Sequence, residues 1–213
     1  MIPSNSLVFI VDDDPSIRKG LGRLLRAAGY VHEAFNSAIE FLGRAVHPGP
    51  SCLIVDVRMP GLDGMGLQET LIRRRRDEEL VFITGHGDIP TCAQAMKAGA
   101  VDFLPKPFPP DELLDCVERA LSRSANKRKH AAEKQKTRDL FDLLTPREFE
   151  VMQLVVTGLL NKQVAGELGT AEKTVKVHRG RVMQKLGVRS VPDLVRLVEK
   201  AAITPAARYE TKV

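Results

Sequence analysis

Cysteine pairs and long apolar runs are missing from this sequence, and each absence excludes a class of protein. The three cysteines, Cys52, Cys92 and Cys116, are widely separated and form no Cys-x-x-Cys pair, so we expect neither a disulfide framework nor a zinc site. No stretch approaches the roughly eighteen consecutive apolar residues of a membrane span, and the N-terminus lacks the pattern of a signal peptide. We therefore expect a cytoplasmic protein without a membrane partner.

Charge is unevenly distributed along the 213 residues, although the net charge is only +5. Residues 1–121 carry 13 Lys and Arg against 17 Asp and Glu, whereas residues 122–143 carry 7 against 3 and residues 144–213 carry 12 against 7. An acidic first half and a basic second half predict a polyanionic partner for the second half only.

The first 121 residues alternate between short β-branched runs and longer segments with helical spacing of apolar residues. We predict strands at Leu7–Val11, Val31–Phe35, Cys52–Asp56, Val81–Thr84 and Asp102–Pro105. Helices are predicted at about 15–28, 37–44, 63–76, 89–98 and from 111 onward. Five βα units predict an α/β domain with a doubly wound parallel sheet, (βα)5, and the right-handed crossover rule leaves few topologies. Among these we expect the strand order 2-1-3-4-5.

The remainder of the chain is predicted to be helical. Residues 122–140 lack Pro and Gly and are rich in Lys, Arg, Glu, Gln and Ala, which favours a solvated helical linker that continues the fifth helix. A flexible coil is the alternative, because polar helices are marginal without packing. Residues 141–204 are predicted to form an all-α domain with three or four helices and 205–213 a flexible tail.

Reactive side chains lie where four of the predicted strands end, the edge at which parallel sheets of this kind carry their chemistry. These are Asp12 and Asp13 after strand one, Asp56 at the end of strand three, Thr84 at the end of strand four and Lys106 after strand five. With strand order 2-1-3-4-5, strand three is flanked by strands one and four. Asp56 is therefore expected at the centre of the cluster.

Three carboxylates at one edge repel one another unless a cation lies between them. Mg²⁺ relieves this repulsion, since it binds a few carboxylates and keeps waters for an incoming phosphate. The predicted roles are metal binding for Asp12 and Asp13, nucleophilic attack for Asp56, hydrogen-bond donation to a phosphoryl oxygen for Thr84 and charge neutralisation for Lys106. Lys106-Pro107 is also a candidate cis peptide.

Each of these residues taken singly is more typical of a structural role, as Asp14 before Pro15 is of a helix N-cap. Together, the segments VDDD, DVRMPGLDG, FITGHGD and FLPKPF resemble the receiver domain of two-component response regulators. The resemblance covers residues 7–121 and implies phosphorylation of Asp56 by a sensor histidine kinase. It further implies Mg²⁺ held by Asp13, Asp56, Asp12 through water and the Arg58 backbone carbonyl, and a switch formed by Thr84 and Phe103.

The second half contains the signals of a helix-turn-helix. Thr145, Pro146 and Glu148 form a capping box, and Gly158 ends the helix that follows. A short helix from about Asn161 to Leu168 ends at Gly169, and a third helix begins after Thr170. Two helices joined by a tight glycine-containing turn are typical of this motif.

The third helix combines an apolar side with a strongly basic one, which favours insertion into the major groove of DNA. A solvated charged face is the alternative, and the preceding helix and turn favour DNA binding over it. The predicted DNA contacts are Thr145, Lys162, Thr170, Lys173, Thr174, Lys176, Val177, His178, Arg181 and Lys185.

The segments LTPRE, GLLNKQVAGELG, TVKVHR and MQKLGVRS resemble the C-terminal domain of FixJ/NarL-type response regulators, which is similar to that of the LuxR regulators. The resemblance implies a four-helix domain that binds DNA as a dimer, often through its last helix, here about 190–201. We expect a homodimer to form on phosphorylation, with promoter DNA and RNA polymerase as partners. Gly180 departs from the pattern, since relatives can carry a larger or basic residue there.

Two alternatives remain open from the residues alone. A phosphatase with an aspartyl-phosphate intermediate resembles Asp-x-Asp at its nucleophile, whereas Asp56-Val57-Arg58 lacks the second carboxylate. A constitutive DNA-binding protein could use the first domain only for docking, which the complete set of pocket residues argues against. We therefore predict a regulator that is no enzyme beyond its own phosphotransfer and dephosphorylation.

Overall fold

The computed structural model describes residues 3–85 and 89–203, so the predicted tail lies outside the described residues. The strands are β1 (Leu7–Val11), β2 (His32–Phe35), β3 (Ser51–Asp56), β4 (Glu79–Thr84) and β5 (Asp102–Pro105). The helices are α1 (Pro15–Ala27), α2 (Ala38–Leu42), α3 (Gly64–Arg73), α4 (Ile89–Lys97), α5 (Pro110–Phe141), α6 (Pro146–Val156), α7 (Asn161–Glu167), α8 (Glu172–Lys185) and α9 (Val191–Ala201). No helix within 3–85 and 89–203 has both the length and the apolar character needed to cross a membrane.

The five strands form one parallel sheet in the order β2-β1-β3-β4-β5, which confirms the predicted fold. Strand β1 shows why both faces of the sheet are covered. Leu7, Phe9 and Val11 belong to one apolar core, whereas Val8 and Ile10 belong to the core on the opposite face. Because successive side chains of a strand alternate between faces, an uninterrupted apolar strand requires helices on both sides.

Helix α5 is a single helix from Pro110 to Phe141, as the linker composition predicted, and the coil alternative is wrong. The chain divides into two compact units, with the boundary between Lys129 and His130 inside this helix. Each unit has its own apolar core, and the second is built from α6–α9 together with Phe141.

The first unit extends past the predicted boundary at residue 121, because the following part of α5 packs against the amino-terminal ends of β3 and β4. The Glu79 carboxylate is 2% exposed and forms ion pairs with Arg123 (3.0 Å) and Lys127. Arg128 donates to the backbone carbonyl of Pro48 (2.8 Å). Residues of opposite charge therefore attach the predicted linker to the sheet.

Ser124 contributes a buried hydrogen bond to the same attachment, and its removal is expected to destabilise the first unit. Its hydroxyl, 0% exposed, accepts from the backbone N–H of Ser51 (3.1 Å). Ser124→Ala leaves that buried N–H without its acceptor, so we expect a loss of about 1–3 kcal/mol in the free energy of unfolding, measured with urea. The matched control is Ser122→Ala, two residues away and exposed. Equal stabilities of the two variants would contradict the assignment.

Candidate functional site

The carboxyl ends of β1, β3, β4 and β5 meet at one edge of the sheet and bring the predicted pocket residues together. Val11 is paired with Val55, Asp56 with Ile83 and Thr84 with Pro105. Asp12 and Lys106 each follow the last residue of their strand. The parallel register therefore places all four side chains at neighbouring strand ends.

Asp12, Asp13 and Asp56 form the acidic part of this site. One carboxylate oxygen from each lies within 4.8 Å of the others. Asp12 is completely buried, Asp56 is half-buried and Asp13 is exposed. The Lys106 ammonium lies 2.8 Å from Asp12 Oδ2 and 3.2 Å from Asp56 Oδ2. A single cation thus bridges the buried carboxylate and the central one.

Burial and charge act on the pKa values of this pair in opposing ways. Burial raises the pKa of the Asp56 carboxyl above its ordinary value, and the Lys106 ammonium opposes that shift only in part. Burial by itself lowers the pKa of Lys106, but the Asp12 and Asp56 carboxylates outweigh it and raise that pKa overall. Lys106 therefore stays charged beside Asp56.

The backbone around the acidic cluster is held by contacts that the sequence analysis missed. Arg18, in the first turns of α1, donates from Nη1 to the carbonyl oxygens of Asp12 (2.7 Å) and Asp13 (2.9 Å). The N–H of Asp14 donates to Asp12 Oδ1 (2.9 Å). In the sequence, the only indication of this contact is that Arg18 follows three consecutive aspartates by four to six positions. Since Arg18 fixes two carbonyls, it limits the positions that the neighbouring carboxylates can adopt.

The donor set suits a small divalent cation. Three carboxylates within reach of one point supply the hard oxygen ligands that Mg²⁺ prefers, and the exposed Asp13 leaves one side open for water or a phosphate oxygen. The Arg58 N–H lies 3.5 Å from Asp56 Oδ1, at the limit of hydrogen bonding. Coordination by the Arg58 carbonyl stays a prediction. The cluster could therefore bind a metal.

The two predicted switch residues lie on adjacent strands. Thr84 is 1% exposed at the end of β4, and its carbonyl accepts from the Lys106 N–H (2.6 Å). The Phe103 ring on β5 is half-buried, and its centroid lies 6.1 Å from that of Phe82. The Lys106-Pro107 peptide is cis, as predicted.

Helix α8 of the second unit presents the predicted DNA contacts. Its core side is formed by Val175 and Val182, both buried. The predicted contacts that lie exposed on α8 are Lys173, Thr174, Lys176, Val177 and Arg181. His178 is half-buried, and its Nδ1 has no hydrogen-bond partner among the described residues. The helix therefore has a buried face and an exposed face, and contact of the exposed face with DNA stays a prediction.

The other predicted contacts surround α8. Lys162 is exposed in the first turn of α7, and Thr170 is half-buried just before α8. Thr145 is the N-cap of α6, in the predicted capping box with Glu148. Arg179, one of the basic residues of α8, donates to Asn161 Oδ1 (3.0 Å) and so joins α8 to α7.

Lys185 has internal partners that the sequence did not reveal. Its ammonium donates to Glu148 Oε2 (2.6 Å) and to the carbonyl of Leu143 (2.9 Å). Because its charge is already neutralised by a carboxylate that is 2% exposed, this geometry favours a structural role for Lys185 over contact with DNA. The pairing is not evident from the sequence, because 37 residues separate the partners.

The same ion pair predicts how the second unit responds to acid. The Lys185 ammonium and the Thr145 N–H lower the pKa of Glu148 from 4.5 to about 2. A carboxyl with a lowered pKa stabilises the folded state above pH 4.5, and that contribution is lost as the pH falls towards about 2. Glu148→Gln should lower the thermal midpoint at neutral pH. As the pH falls from 4.5 to about 2, the midpoint of this variant should decrease less than that of the wild type.

Thermal melts followed by circular dichroism between pH 7 and pH 2 test this expectation. The control is Glu150→Gln in the same helix, because Glu150 is half-exposed and pairs with Arg147 at the surface. Surface pairs contribute little to stability. A wild-type pH profile in Glu148→Gln would contradict the role assigned to the buried pair.

Comparisons with known proteins identify the same two segments. Residues 8–118 match the family described as response regulator receiver domain, and residues 142–198 match the family described as bacterial regulatory proteins, luxR family. Nodulation protein W of Bradyrhizobium diazoefficiens is 47% identical over 210 residues, 99% of this chain and 92% of that protein. Transcriptional regulatory protein FixJ of Azorhizobium caulinodans is 37% identical over 205 residues, 96% of this chain and 97% of that protein.

Solved structures agree with these matches. The response regulator StyR is 51% identical, with a TM-score of 0.80, covering 92% of this chain and all of the other. Full-length FixJ from B. japonicum is 36% identical, with a TM-score of 0.56, covering 95% of this chain and all of the other.

Proposed function

This chain belongs to the response regulators that join a receiver domain to a LuxR-type DNA-binding domain, and from that membership we propose how its two units work. The protein is a phosphorylation-dependent transcriptional regulator. Its receiver implies a sensor histidine kinase as partner, and its second domain binds DNA. The observation that carries the proposal is the cluster of Asp12, Asp13 and Asp56 bridged by Lys106.

Asp56 accepts the phosphoryl group in this proposal. A carboxylate oxygen of Asp56 attacks phosphorus, an oxygen–phosphorus bond forms, and the bond from phosphorus to the kinase histidine nitrogen breaks. The imidazole leaves with the bonding electron pair and remains on the kinase. Lys106, 3.2 Å from Asp56 Oδ2, donates to a phosphoryl oxygen and offsets its charge.

Asp12, Asp13, Asp56 and the Arg58 carbonyl would hold Mg²⁺ in this site, with Asp12 acting through water. When bound, the ion supplies positive charge that offsets the charge of the phosphoryl oxygens. Arg18 keeps the backbone of Asp12 and Asp13 in place through the two carbonyls to which it donates. The protein is no enzyme in the wider sense; self-catalysed phosphotransfer and hydrolysis are the only chemistry that we propose for it.

The phosphorylated state is reported by Thr84 and Phe103. We propose that the Thr84 hydroxyl donates to a phosphoryl oxygen and that the Phe103 ring follows it inward. The modification adds about −1.5 to −2 charges at Asp56. If it stabilises one of two receiver conformations by about 5.5 kcal/mol relative to the other, the population of that conformation rises from about 1% to about 99%. The favoured state dimerises.

Dimerisation brings two helix-turn-helix domains to half-sites about one DNA turn apart. Helix α8 enters the major groove of promoter DNA, where Lys173, Lys176 and Arg181 pair with phosphates. Thr174, Val177 and His178 face the base edges. RNA polymerase is the proposed downstream partner.

We propose a cytoplasmic location for the protein. The free thiols of Cys52, Cys92 and Cys116 fit that reducing compartment.

Labelling with a small phosphodonor tests the proposal. The full chain is incubated with Mg²⁺ and acetyl phosphate, and intact mass and bound fragments from a random DNA pool are measured with and without the donor. We expect the mass of one added phosphoryl group, more dimer and stronger enrichment of related sequences. An unchanged mass under conditions that label an authentic receiver would overturn the proposal.

A further inference from the structure

The face of α8 that points away from its domain carries a small apolar notch among basic side chains. At 100° per residue, the side opposite Val175 and Val182 is formed by Lys173, Val177, Gly180 and Gln184. The centre of this row consists of its two smallest side chains, Val177 and Gly180. Residues three apart are neighbours on a helix surface, so these two share one patch.

Gly180 leaves this patch open down to the helix backbone. A Cβ added at Gly180 would meet no heavy atom within 4 Å, whereas one added at Gly22 would lie 2.8 Å from His32 Nε2. Packing inside the described part of the protein therefore does not require glycine at position 180. Open space alone is no sign of a site, since Gly20 and Gly166 are equally free. The position of Gly180 on the outward row distinguishes it from these two.

Val177 forms the apolar wall of the notch. It is 47% exposed and is the one residue of α8 among the exposed large hydrophobic side chains in the described chain. Exposed cations surround it at Lys173, Lys176 and Arg181. Burial of the Val177 side chain is favourable against an apolar group, and the surrounding cations bind negatively charged groups such as phosphates. A ligand that fits this patch therefore has an apolar group at its centre and negative charge at its edges.

The pyrimidine 5-methyl group in the major groove of DNA has this combination. We propose that the Val177–Gly180 notch receives a pyrimidine 5-methyl group, supplied by thymine in unmodified DNA, and that Gly180 is a specificity-determining residue. The inference rests on the proposed DNA-binding function. The Val177 methyl groups contact one side of the 5-methyl group, and the bare backbone at Gly180 lets it approach closely. 5-Methylcytosine offers the same group, and the experiment includes it separately.

Deletion of the methyl group from DNA tests the notch. A duplex enriched from a random pool by the phosphorylated full chain is resynthesised with deoxyuridine at each thymine in turn. Removing one methyl contact is expected to weaken binding about fourfold per half-site, since burial of such a group contributes about 0.8 kcal/mol. One thymine per half-site should show this loss. In the second arm, 5-methylcytosine replacing that thymine should bind more tightly than cytosine.

Gly180→Ala tests the same contact from the protein side. The added methyl group fills the notch, so this variant should bind the thymine duplex at least fourfold less tightly and bind the deoxyuridine duplex as well as or better than the thymine duplex. Its thermal midpoint should rise, because alanine favours helix over glycine, which shows that the fold is intact. Gly20→Ala, also in open space but in the first unit, should leave DNA affinity unchanged.

The results of these experiments distinguish failure of the notch proposal from failure of the proposed DNA-binding function. If no duplex is enriched, the DNA-binding proposal and the notch both fall. If a duplex is enriched but no thymine responds to loss of its methyl group, or Gly180→Ala retains the wild-type preference for thymine, the notch alone is overturned.

Discussion

Asp56→Asn should abolish phosphorylation by acetyl phosphate and, with it, the increase in DNA affinity that phosphorylation produces. The amide is nearly isosteric with the carboxylate, but it is not a nucleophile towards phosphorus at neutral pH and removes one of the three carboxylates of the cluster. The expected result is an unchanged intact mass in the presence of Mg²⁺ and donor. Binding to the selected duplex should stay at the level of the unmodified protein.

The control is Asp63→Asn, the same change seven residues later, where the chain enters α3. Asp63 is the N-cap of α3 and accepts from the Gly66 N–H (2.7 Å). Asparagine caps helices about as well as aspartate, so this variant should be labelled like the wild type. If Asp56→Asn dimerised and bound DNA as tightly as the phosphorylated wild type, the coupling between the two units would be refuted.

Combined replacement of Lys173, Lys176 and Arg181 by alanine should produce the second large effect, a general loss of DNA binding. Each cation is exposed on the outward side of α8. Loss of three hydrogen bonds from charged groups, at about 1.5 kcal/mol each, weakens binding by about two thousandfold per half-site. Each lost phosphate contact reduces the steepness of the plot of log K against log salt by about 0.9. Its slope should therefore become shallower by about 2.7 per half-site, or about 5.4 for a bound dimer. Titrations at several salt concentrations measure both quantities.

The control removes an equal charge from the first unit, with Lys19, Arg23 and Arg26 of α1 replaced by alanine. All three are exposed, so the fold should tolerate the change. If the net charge of the chain governed binding, both triple variants would lose the same affinity. We expect the salt slope to change only for the α8 variant, and equal changes in both would contradict a localised interface.

Much of the first unit could be predicted from local sequence. Strands β1, β3 and β4 are short and mainly apolar runs. Because parallel strand ends meet at one edge of a sheet, Asp12, Asp56 and Lys106 could be expected together from the sequence. The helical linker was predictable for a similar reason, since its composition has high helix propensity throughout. The predicted β2 began one residue early, at Val31, and such boundaries depend on pairing with β1 more than on residue type.

The partners of long polar side chains could not be predicted in this way. Lys185 appeared to be one more cation for DNA until the fold placed it 2.6 Å from Glu148. Arg18 follows the consecutive aspartates by four to six positions, but only the fold shows that it donates to the carbonyls of Asp12 and Asp13. Such side chains have several rotatable bonds, and the fold decides which acceptors come within their reach.

The amino-acid sequence by itself determined the two-domain organisation, the order of secondary structure and the residues that gather in the acidic pocket, because apolar periodicity and strand ends are local properties. Only the tertiary structure decided that α5 is attached to the sheet through Ser124 and Glu79, that Lys185 is neutralised internally and that Gly180 lies open beside Val177. The first two features depend on contacts between residues far apart in the chain, and the third on the absence of any such residue within 4 Å of Gly180. Both are decided only when the cores pack.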